Sequence, residues 1–519
     1  MRTFLFFILL GVVPLRVQSQ DISDLRKQFN DFRQETQNQY TQFRDQCNAE
    51  YAQFLREAWQ EFNELPGIKR PQDQQRLPQI LIDRLEGKGG VISFQTIAPA
   101  DIEVACSEIV TAPSTASAAR QPQPLVDLHE IPPTITSSVG TSSPLRSSAR
   151  RGGLTFEFYG TQMSVHTGHI GKKLSIPNME EETVASAWET CSKRQYNELI
   201  SDCLKLRDDY HLCDWAYLQM LKILSESYLG SSTNESTFLT AFIYCQSGYR
   251  IRLGRANGKL ILLFSSEHVI YEQPHYNIEG KYFYPFGQDG SLGKIQICCY
   301  PFPHEQPMSL LIPEVPHLTQ DVQQIRTIQS RDYPEFNVQV AVNKNLLQFF
   351  EHYPTSNLND NFLTRWAMYA CTPMDEEVKR QLYPSLRRCL EGLSEREAVC
   401  RLLSLLQSGL TYKYDEDVWG YDRAFFAEET LFYPYADCED RSILFTRLVR
   451  DVLGLKAVLI FYPNHLAAAV HFNEEVTGDY VLVDDERYMI CDPTNYVPAP
   501  GVTMEGKDNT TAKIILLDN

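Results

Sequence analysis

The stretch from residue 394 to 492 constrains the fold most, because it joins two capped helices to a run of strands. Ser394 and Glu397 form a capping-box pattern that opens an apolar helix. A second apolar helix begins at Cys438 and ends at Gly454. Four apolar segments with intervening turn residues then predict strands: KAVLIFY, HLAAAVHF, DYVLV and RYMICD. This order predicts an α+β unit in which a helix packs on an antiparallel sheet.

Cys438 lies where the second helix begins, and its chemistry depends on its neighbours. Unpaired backbone N–H groups and the helix dipole at an N-terminus favour a thiolate. The flanking acids Asp437, Glu439 and Asp440 oppose it, because nearby negative charge raises the pKa of a thiol. The position therefore suits either a nucleophile with a cationic partner, usually a histidine, or a buried or disulfide-bonded cysteine.

Two downstream residues are the expected partners of such a nucleophile. His465 opens a strand directly after the Pro463-Asn464 turn, and Asp492 ends another strand before a proline. A carboxylate in that place can hold an imidazole in the right tautomer and orientation. His471 lies on the same face of the same strand and is the alternative base. We favour His465, which requires the strand ending at Asp492 to pair directly with the strand that starts at His465.

The C-terminal part resembles the transglutaminase-like superfamily, which has the papain-like cysteine fold, through three segments in order: YADCEDRSILFTRLVRDVLGLKAVLI, NHLAAAV and CDPT. More narrowly, it is similar to secreted transglutaminase-like domain proteins of Bacteroidetes-type bacteria. The resemblance covers about residues 395 to 500. It implies that Cys438 is the nucleophile, His465 the base and Asp492 the orienting acid, with no metal or other cofactor. One departure is Ala467, where the family often has an aromatic residue.

The resemblance implies a cysteine enzyme that cleaves or transfers amide or peptide acyl groups, with a protein or peptide as substrate. Hydrolysis is favoured, because nothing in the sequence specifies an amine acceptor site. The Cys438 backbone N–H is one expected oxyanion donor. The preceding loop offers Trp419, Tyr433 and Tyr435 for the second donor. The alternative from another class is a non-catalytic scaffold or binding protein that keeps the fold.

Residues 1–19 have the pattern of a secretory signal peptide, with a basic residue, an apolar run and the small-residue site Val17-Gln18-Ser19. The pattern predicts cleavage after Ser19 and a secreted or periplasmic protein. No later stretch is long and apolar enough for a membrane helix, so membrane insertion is not expected. The formal net charge of -18 disfavours nucleic acid as a partner. Thirteen cysteines permit disulfides in such a compartment.

Three segments precede the predicted catalytic domain of 321–519. Residues 20–66 repeat aromatic side chains every eleven positions, which predicts a long amphipathic helix that ends at Pro66-Gly67. Its aromatic stripe either docks on the protein's own body, which we favour, or mediates self-association. The composition of 67–152 predicts an extended and largely disordered linker. Residues 153–320 predict a mixed α+β domain.

One comparison within the chain concerns Asn234 and Cys438. Two segments share a polar start that contains Glu, an apolar helix, a glycine and a strand: NESTFLTAFIYCQSGYRIRLG (234–254) and CEDRSILFTRLVRDVLGLKAV (438–458). Asn234 stands in the first segment where Cys438 stands in the second. Coincidence is the favoured explanation. The alternative is a degenerate transglutaminase-like copy within 153–320 that has lost its nucleophile.

Overall fold

The computed structural model describes residues 19–70, 103, 106–112, 122–125, 153–167, 174–288, 290–507 and 509–517. Over these residues the chain is a mixed α+β protein, as predicted. The described residues form twelve α-helices: α1 (Ser19–Glu57), α2 (Glu181–Cys191), α3 (Asn197–Asp209), α4 (Asp214–Leu229), α5 (Asn234–Gln246), α6 (Lys344–Glu351), α7 (Thr364–Cys371), α8 (Glu376–Leu390), α9 (Glu395–Gly409), α10 (Asp415–Val418), α11 (Ala427–Phe432) and α12 (Cys438–Leu448).

The described residues also form twenty strands: β1 (Trp59–Asn63), β2 (Cys106–Val110), β3 (Gly153–Phe158), β4 (Thr161–His166), β5 (Ile251–Ala256), β6 (Lys259–Ser265), β7 (Val269–Ile270), β8 (Tyr276–Ile278), β9 (Lys281–Pro285), β10 (Lys294–Cys298), β11 (Ile325–Gln329), β12 (Asn337–Ala341), β13 (Ser356–Asn357), β14 (Thr411–Tyr412), β15 (Tyr435–Ala436), β16 (Ala457–Tyr462), β17 (His465–Val470), β18 (Tyr480–Val483), β19 (Glu486–Cys491) and β20 (Ala512–Ile515).

Two sheets, each of six described strands, organise the molecule and repeat one topology. The first has the order β8-β9-β6-β5-β10-β1, and the second has the order β18-β19-β17-β16-β20-β2. Within the first five strands of each order, every neighbouring pair is antiparallel. The sixth strands differ, since β1 runs antiparallel to β10 and β2 runs parallel to β20. Helix α5 packs on the first sheet and α12 on the second. In the chain, each helix precedes the two central strands of its sheet, β5 and β6 or β16 and β17.

The first helix docks on the protein's own body, as favoured from the sequence. Cys47, Tyr51 and Leu55 on its inner face are buried in the main hydrophobic core. The Asn48 amide oxygen accepts a hydrogen bond from Trp188 Nε1 at 2.9 Å. Self-association through this helix stays a prediction.

The predicted end of this helix is wrong. It ends at Glu57 rather than at residue 66, and Trp59–Asn63 forms the edge strand β1. The strand pairs with β10 from Trp59↔Cys298 to Asn63↔Lys294. Backbone pairing with a sheet more than 200 residues away therefore overrides the local helical period.

The predicted linker is corrected in its described parts. Residues 106–110 form β2, which completes the second sheet beside β20. The Leu125 N–H donates to the Gln246 carbonyl at 2.8 Å, which fixes a second point of the segment. Apart from residues 103, 106–112 and 122–125, the segment 71–152 lies outside the described residues, and so do residues 1–18 of the predicted signal peptide. In the described part of the chain, no helix has both the length and the apolar character to cross a membrane.

The C-terminal unit follows the predicted order of helices and strands. Both helix caps are present: Ser394 closes a capping box with Glu397, and α12 starts at Cys438. A π-helical turn, Val449–Leu453, extends α12 before Gly454 ends it with a φ of 69°. The segment expected to be a loop, 415–437, contains the short helices α10 and α11. Helix α12 packs against the antiparallel strands β16 and β17.

Candidate active site

Cys438 is the first residue of α12, and Asp437 caps this helix. Asp437 Oδ1 accepts the N–H groups of Glu439 at 3.0 Å and Asp440 at 3.4 Å. Asp440 in turn accepts the N–H of Asp437 and that of Phe425, which braces the preceding loop. The cap therefore satisfies the second and third N–H groups of the helix and does not use the Cys438 N–H, which is one of the unpaired donors of a helix start.

Helix α12 meets β17 at a single residue, Leu466. The Ser442 hydroxyl donates to the Leu466 carbonyl at 2.9 Å. The Leu466 N–H faces the sulfur of Cys438 closely enough to lower the pKa of the thiol. Because Leu466 directly follows His465, this clamp holds the thiol beside the start of the strand that carries the imidazole. Cys438 and His465 both line a cavity of about 1240 Å³.

His465 and Asp492 form a buried hydrogen-bonded pair. His465 Nε2 lies 2.7 Å from Asp492 Oδ2. The pair forms because β17 and β19 are direct neighbours, with Ala468 opposite Cys491, as the choice of His465 required. An ionised carboxylate only accepts hydrogen bonds, so it places the imidazole proton on Nε2. His465 Nδ1 is buried without a hydrogen-bond partner among the described residues, and it is the ring nitrogen left to receive a proton.

His471 lies beyond the other end of β17 and does not share this arrangement. Its Nδ1 is 3.0 Å from the Arg487 carbonyl oxygen, and its ring packs on Tyr488. Although His471 is described, it is not among the residues that line the cavity with Cys438. Strand pairing therefore brings His465, and not His471, to Asp492.

The three aromatic side chains expected to supply an oxyanion donor lie elsewhere. Trp419 packs on Tyr433 with ring centroids 4.9 Å apart, and Lys413 Nζ lies 4.3 Å from the ring centre of Tyr435. All three are described, and none lines the cavity. Tyr412 lines it instead.

The direction in which the residues of two short strands point explains why Tyr412, and not Tyr435, lines the cavity. In the parallel pair of β14 and β15, Thr411 lies opposite Tyr435, and Tyr412 lies opposite Ala436. Thr411 is exposed, whereas Tyr412 and Ala436 are buried. Because neighbouring residues of a strand point to opposite faces, Tyr412 takes the inner side and Tyr435 does not. The TYKY segment was visible in the sequence, but its pairing partner was not.

The electrostatics of the site keep Cys438 protonated at rest. Burial raises the pKa of its thiol well above the usual value, and the charges of Asp437 and Glu439 raise it further. The Leu466 N–H acts in the opposite direction but does not prevail. Lys507 is a nearby cation that the sequence did not reveal: burial lowers the pKa of its ammonium, while the charge of Asp492 raises it.

An ion-pair network lies beside the thiol. One oxygen from each of three carboxylates lies within 4.8 Å of the others: Asp415, Asp422 and Glu439. Arg365 reaches Asp422 at 2.9 Å and Glu439 at 3.6 Å, and Arg70 reaches Asp422 at 3.6 Å. Trp366 Nε1 donates to Glu439 at 2.9 Å. Two guanidinium groups therefore supply positive charge where these acids meet, and the cluster by itself does not define a metal site.

The corresponding place in the first sheet has other residues in these three positions. Asn234 is the first residue of α5, and its side-chain oxygen accepts the Leu260 N–H at 2.9 Å. Leu260 is the second residue of β6, as Leu466 is of β17. Lys259 therefore occupies the position of His465. Since Phe286 lies opposite Leu262, as Cys491 lies opposite Ala468, the position of Asp492 is taken by Gly287.

Six aromatic residues contribute to the cavity wall: Phe362, Trp366, Tyr412, Tyr414, Tyr421 and Phe461. Charged residues from distant parts of the chain, including Lys69, Glu416 and Lys513, complete its lining.

All thirteen cysteines, each within the described residues, are free thiols. No family model, curated protein or solved structure matches this chain. The resemblance to the transglutaminase-like superfamily therefore stays a prediction.

Proposed function

We propose that the protein is a cysteine enzyme of the transglutaminase-like, papain-like type that hydrolyses amide or peptide bonds. Cys438 is the nucleophile, His465 the base and Asp492 the orienting acid. The observation that carries this proposal is that Cys438 and His465 line one cavity and that His465 is bonded to Asp492. The Leu466 clamp holds the thiol next to the residue whose imidazole is 2.7 Å from the Asp492 carboxylate.

The proposed reaction begins with a neutral thiol, so the base acts during attack. As the Cys438 sulfur bonds the carbonyl carbon, its proton moves to His465 Nδ1. The tetrahedral intermediate then expels the amine, which takes that proton, and leaves a thioester. A water molecule attacks the thioester and gives its proton to His465, which returns it to the sulfur as the carboxylic acid leaves. Asp492 keeps the second imidazole proton on Nε2 and stabilises the imidazolium.

Two donors are proposed for the oxyanion. The first is the Cys438 N–H, which the Asp437 cap leaves unused. The second is the hydroxyl of Tyr412, which lines the same cavity. Burial raises the pKa of this phenol well above its usual value, so it stays a donor. Tyr412→Phe should slow acylation by about 100-fold to 1,000-fold, which is the usual cost of one oxyanion donor.

A polypeptide is the substrate class that suits the cavity. Its volume of about 1240 Å³ exceeds the usual range for a small-molecule site, about 300–1,000 Å³. The aromatic wall offers apolar surface to substrate side chains. With the signal-peptide pattern, we place this activity in a secreted or periplasmic protein.

The second candidate function is a non-catalytic scaffold or binding protein. One observation favours it: burial and two neighbouring acids raise the pKa of the Cys438 thiol. A nucleophile with so high a pKa reacts only if His465 removes its proton, whereas a binding protein has no such requirement.

The test uses a variant that the chain itself suggests. In the first sheet, Asn234 holds the position of Cys438 and accepts the N–H of Leu260. Cys438→Asn should therefore remove the thiol and keep the contact with the Leu466 N–H. Unfolded protein substrates are digested in ¹⁸O-water, and new carboxyl termini are detected by mass spectrometry. The wild type should release peptides that carry ¹⁸O, and Cys438→Asn should release none. Cys389→Ser, which changes another half-buried thiol, is the matched control and should match the wild type.

Full activity in a folded Cys438→Asn variant would refute the proposed nucleophile. No peptide release by the wild type, with Cys438 labelled by iodoacetamide no faster than Cys389, would favour the scaffold.

A further inference from the structure

Two histidines and one glutamate meet on the surface of the molecule, away from Cys438. His211 Nδ1 lies 2.7 Å from Glu314 Oε2, and His317 Nε2 lies 3.4 Å from Glu314 Oε1. The two imidazole ring centres are 4.1 Å apart. The side chains are 40, 51 and 46 % exposed in the order His211, Glu314 and His317, so an ion from solvent can reach them.

The backbone that carries these side chains is fixed at both segments. His211 lies in the turn between α3 and α4, with a φ of 50° that few residues other than glycine and asparagine adopt. Leu212, the residue after it, is buried. The His317 N–H donates to the Tyr210 carbonyl at 2.9 Å, which ties the two segments together. The ligand groups are therefore held on anchored chain rather than on free loops.

We propose that His211, Glu314 and His317 bind one zinc ion. Two imidazoles and a carboxylate are a ligand set that zinc prefers. In a tetrahedral site with ligands about 2.0–2.1 Å from the metal, ligand atoms lie roughly 3.3 Å apart. The two imidazoles approach different oxygens of Glu314, and one ligand atom from each of the three residues lies within 4.8 Å of the others, so small side-chain shifts would bring them to this spacing. Zinc would replace the imidazole protons that otherwise face the carboxylate.

The location suggests what the ion does. Residues 299–324 connect β10 of the first sheet to β11, and Glu314 and His317 belong to this connector. A metal bound to them and to His211 would fasten the connector to the turn between α3 and α4. The fourth coordination position stays open, as in sites that also bind a water molecule. A cavity of about 280 Å³, lined by His211 and Glu314 among others, adjoins it.

The test measures zinc binding by the mature chain after treatment with a chelator. Equilibrium dialysis should show one zinc per wild-type chain, and the thermal midpoint should rise with zinc concentration. His211→Asn, which suits the left-handed backbone, and His317→Ala should each weaken binding by more than about 100-fold. That exceeds the loss of about 10-fold to 100-fold expected when only an outer partner of a ligand is removed. Circular dichroism confirms that both variants fold.

His166 provides the matched control. Its Nδ1 lies 2.7 Å from Asp202 Oδ2, so it forms a similar imidazole–carboxylate pair, which no second histidine joins among the described residues. His166→Ala should leave zinc affinity unchanged. Because the chain has thirteen free thiols, Co²⁺ replaces zinc in a parallel experiment. A sulfur-to-cobalt charge-transfer band would assign the ion to cysteines and overturn the proposal. Equal zinc affinity in the wild type and both ligand variants would also overturn it.

Discussion

Asp492→Asn tests the proposed triad most directly, because the structure dictates how the new amide must lie. Thr494 and Asn495 donate their backbone N–H groups to Asp492 Oδ1 at 2.8 and 3.2 Å. In the variant these donors select the amide oxygen, so the NH₂ group replaces Oδ2 beside His465 Nε2. Two donors cannot face each other, so Nε2 must become the acceptor and the ring proton moves to Nδ1. The imidazole can then no longer take the Cys438 proton.

The expected effect on reactivity is large, and the effect on stability is small. A positioned general base is worth about 100-fold to 10,000-fold, and the tautomer change removes this factor. The amide still bonds both backbone N–H groups, so the loss is the difference between a charge-assisted and a neutral hydrogen bond, about 1 kcal/mol. Asp492→Ala instead leaves two buried groups without their partner, the Thr494 N–H and His465 Nε2, at about 1–3 kcal/mol each, while the Asn495 N–H keeps the backbone carbonyl of residue 492 at 3.2 Å. Its free energy of unfolding should fall by about 2–6 kcal/mol.

The assay is the rate at which iodoacetamide labels Cys438 at pH 7, read by peptide mapping. Cys389 in the same digest serves as an internal reference for reagent and exposure. Since the resting thiol is protonated, labelling depends on His465, and the Asp492→Asn rate should fall at least about 100-fold, close to that of His465→Ala. Urea unfolding gives the free energies of both Asp492 variants.

One result would refute the reasoning. If Asp492→Asn folds with near-wild-type stability and Cys438 is labelled at the wild-type rate, the tautomer of His465 does not control the thiol. A variant that loses several kcal/mol would instead show that the amide does not take the orientation inferred from Thr494 and Asn495.

Three further predictions concern other parts of the molecule. His471→Ala should leave Cys438 labelling within about tenfold of wild type, because His471 lies outside the cavity. Burial raises the pKa of Glu428 to about 7, so the folded state keeps a proton that the unfolded state loses above about pH 4.5. The free energy of unfolding should therefore fall by roughly 2–3 kcal/mol between about pH 4.5 and 7, and Glu428→Gln should flatten this dependence in urea titrations. Leu55→Ala should cost about 2–5 kcal/mol in the same assay, while Phe32→Ala, 67 % exposed, should change stability by less than about 0.5 kcal/mol. Equal effects would contradict docking of α1.

The sequence predicted those helix starts and ends that depend on residues close together in the chain. The capping box at Ser394, the helix that starts at Cys438 and the stop at Gly454 all depend on neighbouring residues, and all are present. The predictions that were wrong concerned segments that pair with strands far away in the chain. Trp59–Asn63 continues a helical period and yet pairs with β10, and β2 pairs with a strand 400 residues later. The residues of such a segment do not show which distant strand it pairs with.

The same distinction applies to the candidate site. A strand that starts with His465 and ends near His471 offers either imidazole, because both lie on one face. The register that sets Ala468 opposite Cys491 decides between them, and only the folded sheet contains it. In the same way, the sequence analysis named Tyr435 and missed Tyr412, because only the pairing of β14 with β15 shows that they lie on opposite sides.

The two sheets bear on whether the Asn234 segment is a coincidence. Leu459 pairs with Ile515 in the second sheet and Leu253 with Cys298 in the first, at matching positions before the central turn. In both, the N–H of the second residue of the following strand faces the side chain that opens the helix: it bonds the Asn234 oxygen at 2.9 Å in the first and lowers the pKa of the Cys438 thiol in the second. Five strands in one order with one register are what a degenerate copy predicts, and the common origin of the two segments stays a prediction. The structure separates two roles of this position. Asn234 shows that a side chain that accepts a hydrogen bond is enough to bind the strand N–H at this position. The fold alone therefore does not explain why residue 438 is a cysteine beside an imidazole and a buried carboxylate.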